Sequence, residues 1–436
     1  MGDARRAALE VLEKCRRGGA WSDAALGSAM DAQRLEGRDR GLASAIAYGV
    51  MQNRMLLDHL IAQRATMELK KIEPKVLDLL RIGAYQILML DRIPASAAVN
   101  STVKLCKALG YARAAGFVNA VLRKLASDPP AFPTGQDAHS LSLLWSHPLW
   151  LTELYIRLLG TEEAARLAEA DNQPVPITLQ CNTLRADAAS LTESLRSDGL
   201  SCRAHPWLPD CVLLDCGDVR KAASYRNGEF YVQDAAAKLA VLAAAPRKGQ
   251  TVLDACAAPG GKTFAAAILS GGALITACDI HENKLRRILD GAERLGLSGI
   301  SLRAQDARSF VPEWGSAFDV VLADVPCSGL GVIRKKPDIR YKDPAAFSGL
   351  PAIQRDILEN VSRYVKTGGT LLYSTCTVRP EENEDVVRSF LSAHPPYTYE
   401  DFTLPGGFVS AGGMLQLWPQ RSGTDGFFIA KMRRWK

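Results

Sequence analysis

Hydrophobic positions in the first third of the chain repeat with the period of an α-helix. In "PKVLDLLRIGAYQILML", Val76, Leu79, Leu80 and Ile87 fall on one helical face. Two later segments, "AAVNSTVKLCKALG" and "GFVNAVLRKLA", show the same spacing. Residues 1–127 are therefore predicted to form a compact all-α bundle.

The helical period stops at "SDPPAFPTGQDAHS", which contains three prolines. Residues 128–140 are predicted to be a linker. After it, "PITLQCNTL", "DCVLLDC" and "GEFYVQD" have the pattern of short strands, and "DAASLTESLRSDG" has that of a helix. Residues 141–245 are accordingly predicted to form a small α+β module.

Longer apolar runs alternate with helical segments over residues 246–436. These runs are "QTVLDACAA", "ALITACDI", "ISLRAQDA", "FDVVLADVP" and "GTLLYSTC". Such alternation indicates βα units and a parallel sheet covered on both faces, which is an α/β, Rossmann-like fold. The runs "MLQLWP" and "GFFIAKMRR" are predicted to add an antiparallel pair at the end.

A glycine-rich turn joins the first of these strands to a helix in "VLDACAAPGGKTFAAAIL". Gly260 and Gly261 allow the backbone to approach a ligand closely. A phosphate-binding P-loop is disfavoured because Cys256 stands where that motif needs its first glycine. The dinucleotide fingerprint G-x-G-x-x-G is also absent.

Three later strands each lead into an aspartate: Asp279, Asp306 and Asp324. In a doubly wound sheet, ligands bind at the carboxyl ends of the strands. Asp279 lies nineteen residues past Gly260, which suits an acceptor for ribose hydroxyls, and Asp306 suits an adenine amino group. Helix capping explains any single one of these acids. Together they fit S-adenosyl-L-methionine, a cofactor without phosphate.

Two cysteines follow strand ends in the same domain, Cys327 in "DVPCSG" and Cys376 in "STC". Buried cysteines are usually inert. A pair at the cofactor edge, however, suits methylation of a pyrimidine C5 carbon, which is a poor nucleophile until a thiolate adds to C6. Asp324 is placed to hold the ring nitrogen and amino group of cytosine. The spacing does not decide which thiol attacks.

Three segments, "DACAAPGGKT", "DVPCSGLGVIRKKPDIR" and "LLYSTCTVRPEENE", resemble the motifs of RNA 5-methylcytosine methyltransferases of the NSUN/Fmu group. The resemblance implies that Cys376 is the nucleophile and that Cys327 assists product release. It also implies that Asp279, Asp306 and Asp324 contact S-adenosyl-L-methionine. The cofactor segment that it implies consists of Cys256, Ala257, Ala258, Pro259, Gly260, Gly261 and Lys262.

The helical region resembles a NusB-type RNA-binding domain, in segments such as "LRIGAYQILMLDRIPASAAVNSTVKLCK". Residues 1–130 carry 20 Lys and Arg against 13 Asp and Glu, so the net positive charge of the chain lies there. On charge alone, a nucleic-acid partner and a solvated helical surface are equally good interpretations. A NusB-like domain joined to this catalytic domain is similar to bacterial enzymes that methylate 16S ribosomal RNA, which favours an RNA partner.

A basic stretch, "GVIRKKPDIRYK", follows Cys327 closely in sequence. Its cations are predicted to contact phosphates on either side of the target base. The alternative is a solvated loop. The target cytosine must be single-stranded or flipped out of its stack to reach the thiols. The predicted RNA contacts are Arg334, Lys335, Lys336 and Arg340.

Composition narrows the remaining classes of function. No apolar run approaches the ~18 residues that span a membrane, and the chain start lacks a signal-peptide core. A cytoplasmic location and a monomer are therefore expected. Ten cysteines without a C-x-x-C pair predict no metal site. The open alternatives are a C5 methyltransferase of transfer RNA or 23S ribosomal RNA, and a non-catalytic RNA-binding factor.

Overall fold

A computed structural model describes residues 3–18 and 22–436 of the chain. Their contacts divide the chain into two compact units. The first unit comprises Met1–Gln173 and the short segment Ile333–Lys342, and the second comprises Pro174–Val332 and Asp343–Lys436. Within the described ranges, no helix is long and apolar enough to cross a membrane.

The first unit is helical. The side chains of Val76, Leu79 and Leu80 are buried in its core, which confirms the predicted apolar stripe. The helix that carries them begins at Pro74, and the Glu73 carboxylate caps it by accepting the Val76 amide at 3.0 Å. The α-helices are α1 (Ala4–Gly18), α2 (Ser22–Ala32), α3 (Gly37–Gln52), α4 (Arg54–Ala62), α5 (Pro74–Met89), α6 (Ala95–Ala108), α7 (Ala115–Ser127), α8 (Ala138–Trp145), α9 (Leu149–Leu159) and α10 (Thr161–Ala170).

Helices α8 to α10 belong to this first unit, although the sequence pattern assigned residues 141 onward to the small α+β module. A buried polar cluster holds these helices together. The Asp171 carboxylate lies 3.2 Å from His147 Nε2 and accepts the Tyr155 hydroxyl at 3.0 Å. Apolar spacing alone does not reveal such a cluster, because its members are polar residues in a helical region.

Arg340 also lies in the first unit, and it is fully buried. Its guanidinium donates to the Asn172 side-chain oxygen at 2.8 Å and to the Gln52 carbonyl at 3.1 Å. More distant carbonyl oxygens of Trp145 and Ser146 lie at 3.4 Å. The prediction that Arg340 contacts RNA phosphates is therefore wrong, because oxygen atoms of its own unit enclose the charge. Arg334, Lys335 and Lys336 are half-buried.

The second unit begins with the predicted α+β module, a four-stranded antiparallel sheet. Leu191 and Leu195 of its helix are buried against the sheet. The strand Ser201–Ala204 was not predicted, because its residues are mostly exposed and carry no apolar alternation. The sheet has the order β2-β3-β1-β4 and contains β1 (Ile177–Cys181), β2 (Ser201–Ala204), β3 (Cys211–Cys216) and β4 (Phe230–Val232), with helices α11 (Ala188–Ser197) and α12 (Ala223–Arg226).

An eight-stranded sheet follows, with the order β10-β14-β9-β8-β5-β6-β7 and β13 paired to β14. Its strands are β5 (Thr251–Asp254), β6 (Leu274–Asp279), β7 (Ile300–Ala304), β8 (Phe318–Asp324), β9 (Val365–Thr375), β10 (Tyr397–Tyr399), β13 (Met414–Leu417) and β14 (Phe427–Arg434); β11 (Thr403–Leu404) and β12 (Phe408–Val409) form a separate hairpin. The helices are α13 (Ala235–Ala244), α14 (Gly261–Ser270), α15 (Glu282–Leu295), α16 (Leu350–Ser362), α17 (Glu384–Ala393) and α18 (Pro419–Ser422).

Strands β5 to β9 are parallel, and β13 and β14 form the antiparallel pair that the sequence predicted. The chain runs from β5 outward through β6 and β7, then returns to place β8 and β9 on the other side of β5. The carboxyl ends of β5, β6 and β8 therefore lie together where the strand order reverses, which is the usual place for a ligand in such a sheet.

Candidate active site

The predicted cofactor loop runs from Cys256 to Lys262 at the end of β5. The Ala257 amide donates to the Cys278 carbonyl of β6 at 2.6 Å, and the Gly260 amide donates to the Ala257 carbonyl at 2.7 Å. Gly260 has φ +111°, and a Cβ atom there would lie 2.6 Å from the Phe264 ring. Glycine is therefore required for the turn into α14, whose first amides point to the same edge.

Carboxylates mark the ends of the strands around this loop. Asp254 is fully buried at the end of β5, and its Oδ2 accepts the Thr263 hydroxyl at 2.7 Å. Among the described residues, no hydrogen bond reaches its other oxygen. Burial raises the pKa of Asp254 to about 6. Asp279 is buried at the end of β6 and accepts the His281 amide at 2.9 Å.

Asp306 differs from the other strand-end acids. Both of its carboxylate oxygens bind the Arg308 guanidinium, at 2.7 Å in the shortest contact. Hydrogen bonds from Arg308 hold the pKa of Asp306 below its usual range. An adenine amino group that binds Asp306, as predicted, would therefore share this carboxylate with the Arg308 guanidinium.

A charged pair joins the cofactor loop to β8. Lys262 Nζ, which is almost buried, donates to Asp324 Oδ2 at 2.7 Å and lies 5.0 Å from the centre of the Phe427 ring. The Ser374 hydroxyl of β9 donates to the other oxygen, Asp324 Oδ1, at 2.7 Å. Asp324 is thus fixed from two sides, with its carboxylate oriented by one cation and one hydroxyl.

The two predicted thiols meet beside this carboxylate edge. Cys376 follows β9 directly, Cys327 lies three residues past β8, and their sulfur atoms are 3.3 Å apart. Both side chains are half-buried. The hydrogen bond to Cys376 and then burial raise the pKa of the Cys327 thiol well above its usual range.

The loops that carry the thiols are cross-linked by hydrogen bonds. The hydroxyls of Ser328 and Thr377, each next to a cysteine, are 2.7 Å apart. The Gly331 amide donates to the Cys376 carbonyl at 2.9 Å. A Cβ atom at Gly331 would lie 1.9 Å from the Gly426 carbonyl oxygen, so only glycine allows this approach. The sulfur–sulfur distance is consequently set by backbone and side-chain contacts on both sides.

Family models match three parts of the chain. The model described as "16S rRNA methyltransferase RsmB/F" matches residues 241–433, and the NusB family model matches residues 2–127. The model described as "Methyltr_RsmF/B-like, ferredoxin-like domain" matches residues 147–219. Together they confirm the predicted fold classes, an all-α NusB-like bundle, a small α+β module and a Rossmann-like domain.

The chain resembles two curated relatives over its full length. It is 36% identical to the "probable ribosomal RNA small subunit methyltransferase B" of Bacillus subtilis, over 99% of this chain and 98% of that one. It is 34% identical to the protein of the same name from Synechocystis, over 100% of both chains. The chain belongs to the ribosomal RNA small subunit methyltransferase B family. The resemblance stated from the motifs is thereby confirmed.

Solved structures agree with this family assignment. The crystal structure of PH0851 matches 99% of this chain and 98% of that one, with a TM-score of 0.83 and 26% identity. A methyltransferase homolog protein from Pyrococcus horikoshii matches 69% of this chain and 100% of its own length, with a TM-score of 0.60 and 28% identity. Both likenesses confirm the architecture.

Membership of this methyltransferase family confirms the predicted cofactor, S-adenosyl-L-methionine. The residues at the sheet edge fit it, because a tight glycine turn, helix-start amides and the buried acids Asp254 and Asp279 offer donors and acceptors but no phosphate cradle. The segment Cys256 to Lys262, with Asp279, would hold this group.

Sequence reasoning missed two polar residues and one ion pair of this site. Asp254 ends a strand just as Asp279 and Asp324 do, so the signal used for those acids was sufficient to find it. Ser374 lies on β9 two residues before Cys376, a spacing that places alternate residues of an extended chain on one side, and this spacing was an available signal. The pairing of Lys262 with Asp324 had no signal in sequence, because 62 positions separate the two residues.

Proposed function

We propose that this protein is an S-adenosyl-L-methionine-dependent methyltransferase that makes 5-methylcytosine in 16S ribosomal RNA. The observation that carries the proposal is the pair of thiols, Cys327 and Cys376, with sulfur atoms 3.3 Å apart. Methylation of nitrogen or oxygen needs no thiol, since those atoms already have a lone pair. A C5 carbon needs covalent activation, and the thiol pair supplies it.

The covalent step begins when a Cys376 thiolate adds to C6 of the cytosine, which turns C5 into a nucleophile. S-adenosyl-L-methionine, when bound, supplies the methyl group that C5 takes. The C5 proton then leaves to a base, its electron pair restores the C5–C6 double bond, and the sulfur–C6 bond breaks. The thiolate of Cys376 is regenerated in this elimination.

The hydrogen bond between the thiols supports Cys376 as the nucleophile. The contact with Cys376 and burial both raise the pKa of the Cys327 thiol, which disfavours the thiolate at Cys327. The thiolate is the reactive form of cysteine. The sequence could not order the two thiols by spacing, and this electrostatic argument agrees with the order implied by the family motifs.

Asp324 is proposed to bind the cytosine ring nitrogen and amino group. Its two oxygens are oriented by Lys262 and Ser374, each at 2.7 Å, so the carboxylate presents a fixed edge to a base. The carboxylate accepts hydrogen bonds from the amino group and from the ring nitrogen once that nitrogen has taken a proton from solvent, and this proton makes C6 more electrophilic for attack by Cys376. The target base must leave its stack to reach this site.

RNA contacts are proposed for Arg334, Lys335 and Lys336, which follow the Cys327 loop in sequence. Cations at such positions contact phosphates and make binding fall steeply with salt. Arg340 is excluded from this role by its burial. We place the activity in the cytoplasm and expect a monomer.

The test of the activity is methyl transfer in vitro. The protein is incubated with labelled S-adenosyl-L-methionine and unmethylated 16S RNA, and the RNA is digested to nucleosides. Label in 5-methylcytidine is the expected result. Label in another nucleoside, or label only with transfer RNA or 23S RNA, overturns the reaction or the substrate. No label with any RNA favours a non-catalytic RNA-binding role.

Variants of the thiols test the division of roles. Cys376→Ala is expected to reduce methyl transfer by about a thousandfold or more, without a protein–RNA adduct. Cys327→Ala is expected to leave an attacking thiol that releases slowly, so that a covalent adduct accumulates in denaturing gels. Cys278→Ala, at a buried cysteine of β6, is the control and should retain activity. Adduct in Cys376→Ala would reverse the assignment.

A further inference from the structure

The peptide groups on both sides of Cys327 are held by buried side chains from other elements. The Ser328 amide donates to Glu382 Oε2 at 2.8 Å. Gln354 Nε2, from α16, donates to the Pro326 carbonyl at 3.0 Å and to Glu382 Oε2 at 3.0 Å. Glu382 and Gln354 are both fully buried. The chemistry described above uses neither residue.

Glu382 lies on the loop that follows Cys376, so its carboxylate connects the two thiol loops. That loop is itself anchored to β9, because the Tyr373 hydroxyl donates to the Glu382 carbonyl at 2.6 Å. Arg379 lies 3.5 Å from the other carboxylate oxygen and offsets its charge. These contacts with Tyr373 and Arg379 hold Glu382 in place independently of the Cys327 loop.

A fully buried carboxylate is costly, and an uncharged side chain would fasten two loops with less desolvation. A charge-assisted hydrogen bond to a backbone amide, in return, is short and fixes direction. Glu382 makes this bond with the amide of Ser328, next to Cys327. This placement points to a requirement for an accurately held Cys327 peptide rather than for loop closure alone.

We infer that Glu382, oriented by Gln354, is a positioning residue that holds Cys327 against Cys376 for the release of methylated RNA. The inference rests on the proposed C5 methyltransferase function. After the Cys376 hydrogen bond and burial, the Glu382 carboxylate also raises the pKa of Cys327, which helps to keep this thiol protonated. Glu382 itself touches neither the base nor the cofactor in this scheme.

The experiment measures the lifetime of the covalent protein–RNA adduct with 16S RNA and S-adenosyl-L-methionine. Glu382→Gln keeps the shape of the side chain but removes its charge, and it is expected to lengthen the adduct half-life by about tenfold, the loss of one charge-assisted hydrogen bond. Glu381→Gln is the matched control, because Glu381 is the neighbouring residue but is exposed. It is expected to release RNA at the wild-type rate.

A double variant separates positioning from a general structural role. If Glu382 acts through Cys327, Cys327→Ala with Glu382→Gln should accumulate adduct at the same rate and to the same level as Cys327→Ala alone. A further fall in adduct formation in the double variant would show that Glu382 supports the whole site, and it would overturn the inference. Release by Glu382→Gln at the wild-type rate would also overturn it.

A second variant covers a failure of Glu382→Gln to fold, which its thermal unfolding midpoint reports. Gln354→Met removes the amide that orients Glu382 and should lengthen the adduct half-life about threefold, the loss of one ordinary hydrogen bond; a wild-type rate here overturns the inference. Failure of the proposed function has a different signature, since Cys327→Ala would then accumulate no adduct. If it does accumulate adduct while the Glu382 and Gln354 variants release normally, only the positioning role is lost.

Discussion

The two units of the chain each bury a cation among oxygen atoms, in different surroundings. In the first unit, Arg340 donates to backbone carbonyls and to the Asn172 amide oxygen, all of them neutral. In the second unit, Lys262 donates to the Asp324 carboxylate at the carboxyl ends of the parallel strands. The guanidinium of Arg340 is fully buried, whereas Asp324 keeps partial exposure.

The surroundings of the two cations show that a buried charge has a different role in each unit. Neutral oxygens around Arg340 accept hydrogen bonds from its two terminal nitrogens and hold three stretches of chain together. Its Nε has no hydrogen-bond partner among the described residues, and the enclosed guanidinium leaves no group for a ligand. Lys262 and Asp324 neutralise each other, and the carboxylate between Lys262 and Ser374 remains directed toward a partly open site. The first arrangement stabilises a fold, and the second prepares a binding group.

The largest expected effect is loss of stability from Arg340→Met. This change removes the donor to the Gln52 carbonyl and to the Asn172 side-chain oxygen, so we expect the free energy of unfolding to fall by about 4 kcal/mol. Urea denaturation followed by circular dichroism measures it. Arg166→Met, at an exposed arginine of α10, is the control and should cost less than about 1 kcal/mol. Equal losses in the two variants would contradict the structural role of Arg340.

A change at Lys262 is expected to affect chemistry more than stability. Lys262→Met removes the cation that orients Asp324, and methyl transfer should fall by about a hundredfold. Lys262 also lowers the pKa of Asp254, so its removal should raise that pKa above about 6, which carbon NMR of labelled aspartate measures. Lys366→Met is the matched control, because Lys366 pairs with Asp319 at the opposite end of the same strands. An equal loss of activity there would refute a local role for Lys262.

The smallest expected effect concerns the half-buried basic residues near Arg340 in sequence. Lys335→Ala and Lys336→Ala should each weaken RNA binding severalfold and reduce the slope of log affinity against log salt by about one. Arg340→Lys should leave this slope unchanged, because residue 340 is enclosed. Fluorescence anisotropy over a salt series measures these slopes. An unchanged slope in both lysine variants would remove them from the RNA interface.

Much of the active site was predictable because strand ends are visible in sequence. Apolar runs located β5, β6, β8 and β9, and the parallel order of such strands brings their carboxyl ends to one edge. Cys327, Cys376, Asp279 and Asp324 follow from that rule. Glu382 does not, since nothing in "RPEENE" distinguishes the buried glutamate from the exposed Glu381 beside it.

The basic segment shows the opposite outcome. Arg334, Lys335, Lys336 and Arg340 in "IRKKPDIRYK" look alike in sequence, and the same rule of phosphate recognition was applied to these four cations. The whole segment belongs to the first unit, and within it only Arg340 is fully buried, whereas Arg334, Lys335 and Lys336 are half-buried. Charge counting does not reveal this, because burial of a single arginine depends on oxygen acceptors contributed by residues far away in the chain.

By itself, the sequence determined the order of helical and α/β regions, the cofactor turn and the two thiols, since these depend on local period, glycine and residue type. Only the tertiary structure decided that the sulfur atoms of Cys327 and Cys376 lie 3.3 Å apart, that Lys262 pairs with Asp324, and that Arg340 is enclosed. Each of these is a contact between residues distant in sequence. Such contacts are fixed by packing and strand order, and no local pattern records them.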